Sequence, residues 1–208
     1  MKTEESNIHT RAVFKDENHR LLLKKIWNEE LPSAAILMSN AGAQPSIYHM
    51  DYTTMFCINS LSALGYGSVS IVNLFSKMTV KLDLKGDLQD LTCAENTEHI
   101  VKAAEECKHF IVAIGSVAST YKKVADYQYN LFEKLRQYQD KIYVIADCLG
   151  NQNLHPLARS LRGKSWTLVP YKLPQPTPTD KKNAQAEIDK TPTSKTKKND
   201  KKTTPPNS

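Results

Sequence analysis

The signatures of several enzyme classes are missing from this 208-residue sequence. There is no G-x-x-x-x-G-K loop, no complete G-x-G-x-x-G turn and no H-x-E motif with paired cysteines. P-loop, dinucleotide and zinc-deaminase chemistry are therefore without support. None of the four cysteines, Cys57, Cys93, Cys107 and Cys148, forms a C-x-x-C pair, and each sits in or beside an apolar segment. That usage reads as reduced, mostly buried thiols, not as a disulfide framework or a zinc site. No metal and no cofactor is expected. No apolar run is long enough to span a membrane, and the N-terminus lacks the charged-then-apolar pattern of a signal peptide, so the reading is cytoplasmic.

Residues 173–208 contain no aromatic residue and no glycine, but six of the ten prolines and eight lysines against four acids. Such a stretch buries too little apolar surface to offset its ordering entropy and is read as a disordered Lys/Pro/Thr-rich tail. Its charge is +4 of the total +6. A lysine-rich tail can hold DNA loosely by counterion release, or serve solubility or recruitment of a partner. The remaining residues, 1–172, suffice for one domain with its own core.

Within that domain, residues 65–79, GYGSVSIVNLFSKMT, are the organising stretch. Val69, Ile71 and Val72 among small residues predict a buried strand over 68–72, preceded by a glycine turn and ended by Asn73. Residues 10–14 suit a short edge strand. Leu21, Leu22, Leu23, Ile26 and Trp27, interleaved with lysines, predict a helix beginning at Asn18. Residues 34–38 (AAILM), 109–114 (HFIVAI), 141–146 (KIYVIA) and 165–169 complete the strands. Helices are expected over the fifties and early sixties with Asp51 or Thr53 as cap, over 95–107, and from about Val117 through Tyr138. A long mixed-charge loop, 74–91, separates the organising strand from the next helix. The alternation predicts a three-layer α/β/α domain with a mainly parallel central sheet. Asn40, Asn73 and Gly115 would then share one edge with the loop bearing His155. Ligands of open α/β sheets sit at that carboxyl edge.

Four segments in this order carry a resemblance: ILMSNAG (36–42), VSIVNLFSKMTV (69–80), FIVAIGSVAS (110–119) and HPLARS (155–160). Together they resemble the uracil-DNA glycosylase superfamily, most closely an uncharacterised bacterial family of that fold found on mobile elements. The resemblance covers roughly residues 11–171. It implies a monofunctional, metal-independent hydrolase that cleaves the N-glycosidic bond of uracil, or a related modified base, flipped out of DNA. DNA, single- or double-stranded, is the implied partner, and the protein is expected to be a monomer.

Residue by residue, the resemblance assigns His155 to stabilising the departing anionic base. Asn40 takes the position of the water-orienting residue, where standard enzymes of the superfamily carry aspartate and the mismatch-specific branch carries asparagine. An amide is a poorer base, so weak turnover follows. Asn73 reads the base edge. Gly42 replaces a tyrosine that excludes thymine. Tyr52, with Tyr48 and Phe75 as alternatives, would stack on the base. Ser39, Lys77, Ser116 and Ser119 would touch backbone phosphates. The apolar wedge that fills the vacated stack falls near Arg159, with Leu157 and Leu161 beside it. Two other readings follow from the same residues. One is a non-catalytic module that binds uracil or modified nucleic acid. The other is an interaction scaffold with a basic tail.

Overall fold

The computed structural model describes residues 1–43, 47–115 and 121–175. Among them, seven strands form one sheet: β1 (His9–Phe14), β2 (Arg20–Ile26), β3 (Ser33–Asn40), β4 (Ser68–Phe75), β5 (His109–Val112), β6 (Ile142–Ala146) and β7 (Thr167–Pro170). Three α-helices accompany them: α1 (Tyr52–Ala63), α2 (Ala94–Glu106) and α3 (Lys122–Leu135). The strand order is β1-β2-β4-β3-β5-β6-β7. The central four strands, β4-β3-β5-β6, run parallel, while β1, β2 and β7 join antiparallel.

The expected mainly parallel sheet is thus a mixed one with a parallel centre. The change comes from residues 18–27, expected as a helix and found as β2. Leu-Leu-Leu-Lys-Lys is good helix-forming sequence. Its burial nevertheless alternates with period two, Leu21, Leu23 and Lys25 being buried and Leu22, Lys24 and Ile26 half-buried. β2 pairs with β1 on one side and β4 on the other, so ladder hydrogen bonds on both edges override local propensity. The register shifts between Val13 and Phe14, which leaves Leu21 as the extra residue of a bulge and resets the alternation at Arg20.

Two apolar clusters cover the sheet's two faces. Ala35, Leu37, Val72, Leu74, Phe110, Val112 and Val144 pack with α2 and α3 residues such as Ile100, Ala104, Phe132 and Leu135. Their sequence neighbours Ala34, Ile36, Met38, Val69, Ile71, Ile111 and Ile145 pack with Cys57 and Leu61 of α1 and with Leu161 and Trp166. Strands apolar on both faces read as unbroken hydrophobic runs, which is why they were legible. α1 starts at Asp51, the expected cap, whose carboxylate accepts from the Thr54 N–H at 2.7 Å. Gly67 has a steric role. A Cβ there would lie 1.8 Å from the Asn28 carbonyl oxygen, and the Gly67 carbonyl accepts from Trp27 and Asn28 N–H groups at 2.9 and 3.0 Å.

The compact unit runs from Met1 to Pro174, slightly beyond the expected boundary. Leu173, assigned from sequence to the tail, is buried in the α2/α3 cluster, and its N–H donates to Gln139 at 3.0 Å. Residues 176–208, with most of the expected tail, lie outside the described residues, as does the expected helix start at Val117. Of the thiols, Cys57 and Cys107 are buried, Cys93 is half-buried and Cys148 is exposed; all four are free. No described helix is long and apolar enough to cross a membrane.

Leu37 is fully buried at the centre of β3, paired with Val72 on one side and Val112 on the other. Leu37→Ala is expected to cost about 2–5 kcal/mol of stability, read as a lowered urea midpoint with unchanged slope.

Candidate active site at the carboxyl edge of the sheet

β3 is followed by a connection to β4 on one side, and β5 by a connection to β6 on the other. The reversal makes the carboxyl ends of β3 and β5 a topological switch point, the place where open α/β sheets bind ligands. Asn40 ends β3 at this point. Its Nδ2 donates to the Thr79 carbonyl at 2.8 Å, and its Oδ1 accepts from the Gly42 N–H at 3.2 Å. The side chain thereby ties the loop after β4 to the turn after β3. Gly42 adopts φ +71°, the left-handed region that favours glycine.

Asn73 does not terminate its strand. β4 continues to Phe75, all eight of its residues buried, and Asn73 pairs with Met38. By alternation it shares the α1 face with Val69, Ile71 and Met38. It is 1% exposed, yet among the described residues neither its Oδ1 nor its Nδ2 has a hydrogen-bond partner. Leaving buried amide groups unpaired costs about 1–3 kcal/mol per group. Natural cores seldom tolerate that without a reason.

The backbone around Asn73, by contrast, is held firmly. Asn96, fully buried near the start of α2, donates from Nδ2 to the carbonyls of Asn73 (3.0 Å) and Leu74 (3.2 Å). Just beyond the strand, the buried Ser76 hydroxyl contacts His19 Nδ1 at 2.9 Å. Phe75, a candidate stacking residue, belongs to the opposite face. It is fully buried in the α2/α3 cluster and stacked on Tyr127 with centroids 5.7 Å apart, so it packs the core instead of lining the switch point.

His155 follows β6. The Leu154 N–H donates to the Ile145 carbonyl at 3.2 Å, and Leu154 and Ala158 pack on the α1-side cluster, which sets the loop bearing His155 on that side of the sheet. Its Nδ1 accepts from the Leu157 N–H at 3.2 Å, which leaves Nε2 carrying the proton. Burial holds the imidazole below its ordinary value of 6.5, favouring the neutral ring. Continuing the strand registers by one residue, Asn73, Met38, Ala113 and Ile145 form one row across the α1 face. Strands β4 and β6 are three spacings apart, about 14 Å.

The remaining candidates fall around this edge with different fates. Tyr48 and Tyr52 are 90% and 74% exposed on the loop after β3 and at the start of α1. Ser39 is half-buried at the end of β3, and Lys77 is half-buried, bridged to His19 beyond β4. Ser116 and Ser119 lie outside the described residues. Among the wedge candidates, Leu157 and Arg159 are exposed, whereas Leu161 is 1% exposed in the α1-side cluster; it is a core residue and not a wedge.

Sequence reasoning missed Asn96 and Arg20. Arg20, 7% exposed, donates to the Ala41 carbonyl between Asn40 and Gly42, with burial lowering its pKa against the opposing effect of Asp51. Neither position carries a local signal. Arg20 was read into a helix, and the contact of Asn96 with β4 exists only once α2 crosses the sheet.

A family model described as "Protein of unknown function (DUF1643)" matches residues 20–157. The chain belongs to this family. The matched region runs from the first residue of β2 to just past His155, and so contains Asn40, Asn73, Asn96 and His155. No curated protein and no solved structure matches the chain.

An unpaired buried amide predicts an unusual stability response. Asn73→Leu, close in volume and without polar atoms, is expected to leave stability unchanged or raise it by about 1 kcal/mol in urea unfolding. Asn96→Ala, which strips two buried carbonyls of their donor, is expected to lower it by about 1–3 kcal/mol.

Proposed function

We propose that this DUF1643 chain is a DNA glycosylase of the uracil-DNA glycosylase type, hydrolysing the N-glycosidic bond of uracil or a related base flipped out of DNA. The observation that carries the reading is Asn73: a fully buried amide, both polar atoms unpaired, on a strand whose backbone is anchored by Asn96. One acceptor and two donors complement the O4 and N3–H edge of uracil, so base binding would supply the partners the folded chain withholds. The packing of α1 against one face of the sheet and of α2 and α3 against the other supports the three-layer α/β/α arrangement of that superfamily.

In the reaction, the bond between the sugar and the base breaks, the pair of electrons leaves with the base, and water adds to the oxocarbenium-like sugar. His155, neutral and protonated at Nε2, donates to the base oxygen on which negative charge develops. Asn40 orients the water through its amide and takes no proton; the proton that the water sheds passes through solvent to the departed base anion. Both ends of that amide are already engaged, by Thr79 and Gly42. This geometry agrees with slow turnover and favours one alternative reading, a module that binds a flipped or modified base without releasing it.

The deciding experiment uses oligonucleotides bearing one uracil, single-stranded or paired with G or A, incubated with the full chain and then treated with alkali. Cleavage at uracil is expected, falling about 100-fold or more in His155→Ala and similarly in Asn73→Ala. If both variants released base as well as the parent does, the assignment of these residues would fail. Binding selective for uracil with no abasic product would establish the module instead.

The pH profile carries a sign. A neutral His155 donor predicts a rate that rises with pH below the ordinary histidine value and is level above it, because its folded pKa lies below 6.5. A rate that declined as pH rose through this range would mean an imidazolium acts instead. Stability follows the same direction: unfolded chains take up the proton first, so this group's contribution is lost as pH falls below the unfolded pKa.

A further inference from the structure

β4 leaves its ladder with β2 just before Asn73. Leu23 pairs with Ile71, and contact resumes where the Arg20 N–H donates to the Ser76 carbonyl at 2.9 Å and His19 bridges Lys77. Residues 20–22 of β2 therefore face residues 72–76 of β4, a bulge in the stretch that carries Asn73. Two carbonyls of that bulge, those of Asn73 and Leu74, are taken by the Asn96 amide. Bulges beside sites re-aim a side chain. The side chain in question is the enclosed amide whose polar atoms have no partner among the described residues.

The same interruption brings in Arg20. Its backbone lies opposite Ser76, while its guanidinium donates to the carbonyl of Ala41, the residue after β3. β4 lies between β2 and β3. The Arg20 side chain must therefore pass the end of β4, about 7–10 Å along the strand from Asn73. Asp51 shows on which face it passes. Its carboxylate acts electrostatically on Arg20 and also on Cys57, a buried residue of α1. The guanidinium thus lies on the α1 face, the face of Asn73.

The charges around it do not cancel. Lys25, 3% exposed on the same strand, adds its field to that of Arg20 and donates to the Thr10 hydroxyl at 2.8 Å and the Ile47 carbonyl at 3.4 Å. Among the described residues, the acid acting on both cations is Asp51, which is exposed and caps α1 through the Thr54 N–H. Enclosed charge acts further than charge screened by water, so the two cations outweigh the one carboxylate. Burial lowers the Arg20 pKa, but a guanidinium keeps its proton.

The group that suits both features presents a hydrogen-bonding edge to Asn73 and carries negative charge on that edge. A pyrimidine leaving its sugar becomes such a group, because the electron pair left on the ring nitrogen spreads onto both carbonyl oxygens. We propose that Arg20 is the cation that stabilises the anionic base at its Asn73 edge, in addition to the donor supplied by His155; this assignment rests on the glycosylase reading. The neutral base gains little from that charge and the departing anion gains much, which is the condition for acceleration. The bond to Ala41 holds the guanidinium in advance, so no reorganisation accompanies the reaction.

The test compares single-turnover base release by the full chain, Arg20→Lys and Arg20→Met, from single-stranded oligonucleotides bearing one uracil or one 5-fluorouracil. Fluorine makes the base more acidic, so its anion needs less help in leaving. Arg20→Met is expected to slow uracil release roughly 50-fold and 5-fluorouracil release only about fivefold. Arg20→Lys, which keeps the charge and loses the fork, should stay within about tenfold of the parent on both. An equal loss on both bases in Arg20→Met would mean that Arg20 only braces the Ala41 turn, and would overturn the proposal, as would no loss on uracil. A second measurement needs no variant and decides the matter if Arg20→Met fails to fold by circular dichroism. Calorimetric binding of free 5-fluorouracil to the parent chain is followed as pH rises from about 7 to 9, above the ordinary histidine value, so that the ligand ionises while His155 stays neutral. Affinity should rise about tenfold; affinity that is level, falling or absent overturns the proposal. If no oligonucleotide releases base, yet the free anion is preferred and Arg20→Met abolishes that preference, only the glycosylase reading fails. If base release depends on His155 and Asn73 while Arg20→Met slows both bases equally, only the Arg20 assignment fails.

Discussion

The parallel pairing of β3 with β4 on one side and β5 on the other is the constraint from which the rest follows. It buries an eight-residue strand on both faces and sends consecutive connections in opposite directions, thereby creating the switch point. It also brings Asn40, at the end of β3, into line with the loop after β4 that it holds through Thr79.

Within this frame the polar groups divide by state of satisfaction. Asn96 Nδ2 and the Asp147 carboxylate hold backbone, one at the end of β4 and the other in the turn after β6, while Asn96 Oδ1 has no partner among the described residues. Neither polar atom of Asn73 has a partner among them. The contrast has a physical meaning: a rigid backbone around an unpaired amide is pre-organised, so a ligand that fits need not first order the site. His155 shows the complementary arrangement, one ring nitrogen fixed by the Leu157 N–H and the other left to donate.

Much of this was legible in residue patterns, for a definable reason. The four parallel strands are apolar on both faces and bounded by glycines or polar residues, so their existence and approximate limits could be read directly. Asn40 and His155 were singled out because each stands where an apolar strand ends or its loop turns polar, whereas Asn73, read as a strand end, lies inside β4. The strand β2 was not, because its leucines and lysines satisfy a helical pattern as well as an alternating one, and only pairing with β1 and β4 decides between them. Phe75 and Leu161, offered only as alternatives, could not be placed from sequence for a related reason. Their sequence distance from the motifs is right, but the face on which each side chain falls depends on strand register and helix packing.

The sequence by itself determined the α/β class, the parallel core and the carboxyl edge on which polar residues gather, since these depend on hydrophobic period and turn chemistry, which are local. Only the tertiary structure decided that the sheet is mixed, that Asn73 is buried without partners among the described residues, and that Asn96 and Arg20 brace the carboxyl edge. Those properties depend on which segments meet across long sequence separations. Pairing between distant strands and crossing helices settles that question, and no single stretch of the chain encodes it.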